Sequence, residues 1–213
     1  MQSTTFLGEV RNKIGFIILV SLFIAALSFL FLIFSEKAYK VRTDFLVTQN
    51  NATSQDFYAL SRSSEFIGKV LSEAVYSERF IDAVVETGKV SASSMSSDKK
   101  VKLEDWAKEV QVNKKLDLGM IQIEVYNNDQ REAVRVSQAI GEVLTQRNNL
   151  FRGGDEKSVD VRILTGPIVE RNPSIVQLVV VVIGGFLFGT LLSLTWIFIR
   201  TEVFPKKEEF YSI

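Results

Sequence analysis

Two long apolar stretches divide this chain into three parts. The first stretch, 14–34, has 21 residues without a charge, and the second, 175–199, has 25. As helices they would reach about 32 and 37 Å, enough to cross a hydrocarbon core of about 30 Å. The pattern predicts two transmembrane helices with a polar region, 35–174, between them.

The first stretch is expected to stay in the mature protein as an anchor. Its apolar core is longer than the roughly 7–15 residues of a cleaved signal peptide. No small-x-small cleavage site follows Phe34, where the chain continues Ser35-Glu36-Lys37-Ala38-Tyr39.

Between the two stretches the periodicity of apolar residues changes several times. Apolar side chains alternate over 39–47, 120–126 and 159–163, which predicts three strands. They recur at three- and four-residue steps over 57–74, 78–86 and 103–110, which predicts helices. A further helix follows Asp129, with Glu132 as the other half of a capping box, and is expected to run to Gly153-Gly154.

This order of elements, β-α-(α)-α-β-α-β, predicts an α+β domain. The first and last strands are each continuous with an apolar stretch, so we expect them to be neighbours in the sheet and the two membrane helices to lie side by side. The predicted parts are a tail (1–13), a helix (14–34), the α+β domain (35–174), a helix (175–199) and a second tail (200–213). A 140-residue loop can be translocated largely regardless of its charge, so we expect an extracytoplasmic domain and two cytoplasmic tails.

Composition and local motifs argue against catalysis. The chain has no His and no Cys, which excludes a His-based triad, a Cys nucleophile, disulfides and a Cys/His zinc site. Its 25 basic and 25 acidic residues give no basic excess for nucleic acid. The acidic pairs Glu104-Asp105 and Asp155-Glu156 are interpreted as solvated surface, and 153–158 lacks the strand-before-helix context of a phosphate loop. We predict a protein that is not an enzyme, with no cofactor and no metal.

The second apolar stretch carries a small-residue face. Gly185 and Gly189 form a GxxxG motif, which Ser193 extends by another four residues. Small residues on one ridge let two membrane helices approach closely. The sequence leaves two partners open for this face: the first stretch, through Ser21, Ala25 and Ser28, or a neighbouring subunit.

The C-terminal tail carries Lys206-Lys207-Glu208-Glu209 followed by Phe210-Tyr211. The lysines are suited to anionic lipid headgroups. Phe210 and Tyr211 have no core to join at a polar chain end, which favours a docking peptide for a cytoplasmic partner. Both interpretations stay open at this point.

Taken in order, these features resemble the polysaccharide chain-length determinant family, the Wzz-type polysaccharide co-polymerases. The resemblance rests on the strand after the first span, the helix over 55–74, the lead-in 103–112, the strand 120–125, Ala133 at a helix start, and the proline segment before the second span, Pro167 and Pro173. This chain has fewer prolines in that segment than is usual, and no long extended helix. It is more similar to compact membrane adaptors of capsule systems.

The resemblance implies a function in making a surface polysaccharide such as capsule, exopolysaccharide or O-antigen. It implies a homo-oligomeric ring in the bacterial inner membrane that controls chain length, polymerisation or export. The implied partners are a polysaccharide polymerase or glycan chain and a cytoplasmic tyrosine kinase, with Phe210 and Tyr211 as the residues of its docking site.

Two other functions are compatible with a two-span chain. A sensor would bind a small ligand in the outer domain and signal through the tails, which requires a pocket with convergent polar groups. A channel subunit would need a polar pore lining, for which the spans offer Gln177, Thr190 and Thr195 but no charged ring.

Overall fold

The computed structural model describes residues 6–49, 57–91, 95–115, 119–152 and 159–203. The chain divides into two compact units. One comprises Met1–Glu36 and Pro173–Ile213, and the other is Lys37–Asn172. We describe each unit by itself.

The first unit is built from the two apolar stretches. A short helix, α1 (Phe6–Asn12), precedes α2 (Ile14–Ser35), and the chain returns through α7 (Ile175–Phe198) and a π-helical turn, Ile199–Val203. Both long helices meet the length and hydropathy expected of membrane spans. Most of their large apolar side chains are exposed, as lipid-facing residues would be.

The second unit is an α+β domain. Its strands are β1 (Tyr39–Gln49), β2 (Val110–Lys115), β3 (Met120–Asn127) and β4 (Val159–Arg171). Its helices are α3 (Phe57–Ala74), α4 (Glu78–Glu86), α5 (Lys99–Glu109) and α6 (Gln130–Gln146), and a 3₁₀ turn, Asn148–Leu150, follows α6. The predictions of an α+β class and of two long apolar helices are therefore confirmed.

The four strands form one antiparallel sheet in the order β2-β3-β1-β4. In β1, which follows α2, Val41 pairs with Val125 of β3 on one side and with Val169 of β4 on the other. The two strands next to the apolar helices are thus neighbours in this sheet. Two register shifts occur between Arg42 and Phe45 where β1 pairs with β4, and at each of them β4 has one residue more than β1, as in a β-bulge.

The core lies between one face of the sheet and the helices. Strand residues that alternate along β1 and β3 point into it, as the period of two requires: Val41, Phe45, Val47, Ile121, Ile123 and Val125. Trp106 of α5 is buried and donates its indole N–H to the Val75 carbonyl over 2.9 Å, so its one polar group is satisfied.

One strand was not expected. The sequence pattern extends a helix through Val110, but α5 ends at Glu109 and β2 begins at Val110. The Val112 N–H of β2 donates to the Tyr76 hydroxyl over 2.9 Å. This tertiary contact and the pairing with β3 override a weak local pattern.

The end of α6 was also predicted wrongly. The helix ends at Gln146, not at Gly153-Gly154, which lie outside the described residues. Asn148 donates its side-chain amide to the Leu144 carbonyl, so it replaces a main-chain partner of the last turn and stops the helix. At the other end Asp129 accepts from the N–H groups of Arg131 and Glu132, as expected of a cap.

Glu132 is not the reciprocal half of that cap. The Asp129 N–H donates to the Asn127 side-chain oxygen over 2.9 Å, and Glu132 forms an ion pair with Arg135. The sequence pattern identified the capping residue correctly but not the group that satisfies its own amide.

Candidate functional site

The small-residue face of α7 packs against α2. The buried residues of α7 are Gly185, Gly189, Ser193 and Ile197, which repeat every four residues. Those of α2 are Ile17, Ser21 and Ala25, with the same repeat. A spacing of four keeps residues on one face of a helix, so the two helices meet along matching ridges.

The approach between these helices is close enough to require glycine. A Cβ atom added at Gly189 would lie 2.7 Å from the Ser21 Cα atom, and one at Gly185 would lie 3.0 Å from the Ala25 Cα atom. Both contacts are with main-chain atoms, which cannot rotate away. By contrast, a Cβ added at Gly184 would meet nothing within 4 Å.

Hydroxyl groups connect the helices at the same level. The Ser21 and Thr190 hydroxyl oxygens are 3.0 Å apart, and either can donate. Ser21 also reaches the Ile17 carbonyl at 2.7 Å, and Thr190 the Phe186 carbonyl at 2.9 Å. In hydrocarbon such a bond between helices contributes about 0.6 kcal/mol on average.

Of the two partners that the sequence left open for Gly185, Gly189 and Ser193, the structure shows the first stretch. The face is covered by α2 of the same chain, and a neighbouring subunit would meet other surfaces of the helix pair. Packing of Ser21 against Gly189 and of Ala25 against Gly185 also makes the pair antiparallel.

The polar residues considered as a pore lining are engaged within the helices. Gln177 completes a capping box with Ser174, since its side-chain oxygen accepts from the Ser174 N–H over 2.8 Å. Thr195 donates to the Leu191 carbonyl, and Thr190 contacts Ser21. These contacts give no support to a channel.

The two prolines before the second span occupy different environments. Pro167 lies within β4, which extends beyond Ile163, the expected end of the strand, and β4 is one of the two edge strands of the sheet. Proline has no N–H to offer a further strand, so it suits an edge. Pro173 follows Asn172, whose N–H and side-chain amide donate to the carbonyls of Ala38 and Lys37.

The sheet face opposite the core carries a network of charges. Lys40 of β1 lies between two carboxylates, 2.9 Å from Glu170 of β4 and 3.6 Å from Glu124 of β3. Glu124 also accepts from Gln122 and from the Tyr126 hydroxyl. Burial opposes the charge of Lys40, but the hydrogen bond with Glu170 and the two carboxylates outweigh it and raise the Lys40 pKa.

One carboxyl group beside this sheet, that of Glu109, has a raised pKa. Burial raises the pKa of Glu109 above its ordinary value, against the opposing effects of a hydrogen bond from Asn127 and the charge of Lys37. Glu109 lies at the last residue of α5, where the negative end of the helix dipole also disfavours a negative charge.

A polar groove of about 280 Å³ lies between α6 and β4. At its base the Thr43 and Ser137 hydroxyls are 2.8 Å apart, and at its rim Lys89 pairs with Glu142 at 2.7 Å. That hydrogen bond from Lys89 lowers the pKa of Glu142, so the carboxylate is charged. The groove offers hydroxyl and amide groups and one ion pair to a small polar ligand; its other polar residues are Gln138, Thr145 and Gln146.

The remaining acidic candidates show no catalytic arrangement. Glu104 and Asp105 pair with Lys100 and Lys108 on the surface of α5, at 3.9 and 3.0 Å. Among the residues that the structure describes, no group of three acidic side chains could hold a metal ion. Asp155-Glu156, Phe210 and Tyr211 lie outside the described residues.

Comparison with known proteins identifies no family. No protein-family model matches the sequence, and no curated protein matches it either. The resemblance described from the sequence therefore remains an expectation.

Sequence reasoning did not find the partners of the key polar groups. Lys40, Glu124 and Glu170 come from three strands and meet only through the strand register. Ser21 and Thr190 are 169 residues apart. The sequence does show that Ser21 and Thr190 are hydroxyl residues in or beside a ridge of small residues. Their pairing, however, depends on how the two helices align.

Proposed function

We propose that this protein is a membrane scaffold that assembles into a homo-oligomer and regulates the chain length, polymerisation or export of a surface polysaccharide in the bacterial inner membrane. The observation that carries the proposal is the architecture. An α+β domain lies between two apolar helices, and the strands next to those helices, β1 and β4, pair over almost their whole length.

The two units support different parts of this function. In the α2–α7 pair the small-residue face of α7 is already packed against α2 through its glycines and a hydroxyl contact. The role of the pair is therefore to anchor the chain, and the small-residue face does not join subunits. Assembly then falls to the extracytoplasmic domain, 37–172. A ring of such domains would present repeated weak contacts to a polymerase or glycan, and effective concentration would replace tight binding.

Regulation by a cytoplasmic tyrosine kinase is part of the same proposal. It rests on the aromatic residues Phe210 and Tyr211 near the C-terminus and on the resemblance to compact capsule adaptors. Both tails are proposed to be cytoplasmic, so these residues would be accessible to a kinase.

The test is the length distribution of the surface polysaccharide. Cells lacking this chain should show an altered distribution on a polysaccharide gel, and the full chain should restore it. As a control, expression of an unrelated membrane protein from the same promoter should not restore it. An unchanged distribution after deletion, with normal polysaccharide yield, would contradict the proposal.

A second candidate function is favoured by the polar groove between α6 and β4. A two-span sensor requires a pocket with convergent polar groups, and the groove provides Thr43, Ser137 and the Lys89–Glu142 pair. A sensor would show a ligand-dependent increase in thermal stability of the full chain, reduced by Ser137→Ala. Screening mono- and disaccharides by that assay would distinguish it from the scaffold, for which no such increase is expected.

A further inference from the structure

A small cavity opens at the end of the helix pair where both tails leave. It measures about 220 Å³ and is lined by Lys13, Phe16, Trp196, Ile197 and Arg200. Lys13 immediately precedes α2, and Arg200 lies in the π-helical turn after α7. Because α2 and α7 are antiparallel, the first residues of one helix and the last residues of the other meet at the same end.

The cavity has one basic and one apolar side. Two cations line it, and its apolar lining comprises Ile197, which is fully buried, and the exposed rings of Phe16 and Trp196. Trp196 is 61% exposed at the end of a membrane-length helix. An exposed tryptophan at the end of a membrane-length helix is typical of the membrane–water interface, where an apolar ring and a polar N–H are both accommodated.

The charge at this end favours an anion. Lys13 forms an ion pair with Glu9 at 2.8 Å, but both side chains remain about one-third exposed. Arg200 makes no ion pair with the side chains that the structure describes. The two charged residues that line the cavity, Lys13 and Arg200, are both basic, and a guanidinium can donate two hydrogen bonds to a phosphate group.

We propose that this cavity binds the headgroup of an anionic phospholipid. Lys13 and Arg200 would contact the phosphate group, and Phe16, Trp196 and Ile197 would contact the first carbons of the acyl chains. The apolar side distinguishes such a ligand from free phosphate, which has nothing to place there. This inference rests on the membrane location of the helix pair given in the proposed function.

The experiment uses tryptophan quenching by brominated lipid in nanodiscs that contain the full chain. The chain has only two tryptophans, and Trp106 is buried in the α+β domain, so quenching by bromine in the acyl chains reports on Trp196. Trp196→Phe measures the residual signal of Trp106. The bilayer is always the same mixture of phosphatidylglycerol and phosphatidylcholine. In one sample a small fraction of the phosphatidylglycerol is brominated, and in the other an equal amount of the phosphatidylcholine is brominated.

We expect phosphatidylglycerol to be enriched around Trp196 over phosphatidylcholine. Each basic side chain near an anionic surface favours anionic over neutral lipid by about fivefold, so we expect an enrichment of phosphatidylglycerol of at least about fivefold. The double variant Lys13→Gln, Arg200→Gln should lose most of this enrichment. Arg11→Gln is the matched control, because Arg11 is a basic residue of the same tail that does not line the cavity.

The possible results separate this inference from the membrane location itself. Equal quenching by both lipids, or an equal loss in Arg11→Gln and in the double variant, would overturn the headgroup site while leaving the location intact. If neither brominated lipid quenches Trp196, the membrane location is overturned, and the headgroup site with it. Loss of the enrichment on addition of inorganic phosphate at constant ionic strength would assign the cavity to free phosphate and overturn the lipid proposal.

Discussion

Replacing Gly189 with alanine should weaken the α2–α7 pair. The added Cβ atom would lie 2.7 Å from the Ser21 Cα atom, whereas carbon atoms pack best at about 3.5–4.0 Å. The helices must therefore separate by about 1 Å at this level. The Ser21–Thr190 distance, now 3.0 Å, would then approach about 4 Å, which is beyond hydrogen-bonding range.

The magnitude follows from the two losses. The hydrogen bond contributes about 0.6–1.7 kcal/mol in a membrane. A gap of 0.5–1 Å also forfeits about a quarter to a half of each atom-pair attraction of 0.1–0.2 kcal/mol, which over some tens of pairs is about 1 kcal/mol. The pair should lose about 2 kcal/mol, or about 30-fold in its association constant.

Gly184→Ala provides the matched control, since Gly184 belongs to the same helix and has nothing within 4 Å of its added Cβ. The native chain has no Cys, so single cysteines at Leu19 and Leu191, which are both exposed, can carry spin labels. The measurement is the SDS fraction at which half of the helix pairs separate. Gly189→Ala should lower it and Gly184→Ala should not; equal midpoints for the two variants would refute the packing argument.

Three further predictions follow from single contacts and from the tail. Glu109→Gln should raise the melting temperature at neutral pH, because burial raises the Glu109 pKa and the charged form destabilises the folded state. This gain in melting temperature should vanish as the pH falls below 4.5, the ordinary pKa of a glutamate. A gain that persists at that pH would contradict the prediction. Asp129→Ala should lower the unfolding free energy by about 1 kcal/mol in urea titration through loss of the α6 cap, whereas Asp105→Ala, on the surface of α5, should change it little. Deletion of 205–213 should abolish co-purification of a cytoplasmic kinase, and an unaltered pull-down would exclude a docking role for Phe210 and Tyr211.

Local patterns predicted the elements with strong periodicity. The two apolar helices, the strands at Tyr39 and Met120, and the cap at Asp129 follow from runs of suitable residues. The strand β2 could not be found in this way, since Val110 and Val112 are its only alternating apolar residues and no turn separates them from α5. Its formation depends on β3 and on the Tyr76 hydroxyl, which are distant in sequence.

The candidate site shows the same division. The GxxxG spacing identified the face of α7 that packs, because small residues on one ridge are a local property. It did not determine what covers that face, since close approach to α2 depends on the alignment of Gly189 with Ser21 and of Gly185 with Ala25. The cavity lined by Lys13 and Arg200 likewise depends on the antiparallel pairing of two segments at opposite ends of the chain.

The mass of the purified full-length particle tests the scaffold proposal most directly. The chain weighs 24.0 kDa, and native mass spectrometry from nanodiscs or mild detergent measures how many copies a particle contains. The proposal predicts a closed oligomer of defined copy number that persists in Gly189→Ala, since assembly is assigned to the α+β domain rather than to the small-residue face. A strictly monomeric particle would contradict it.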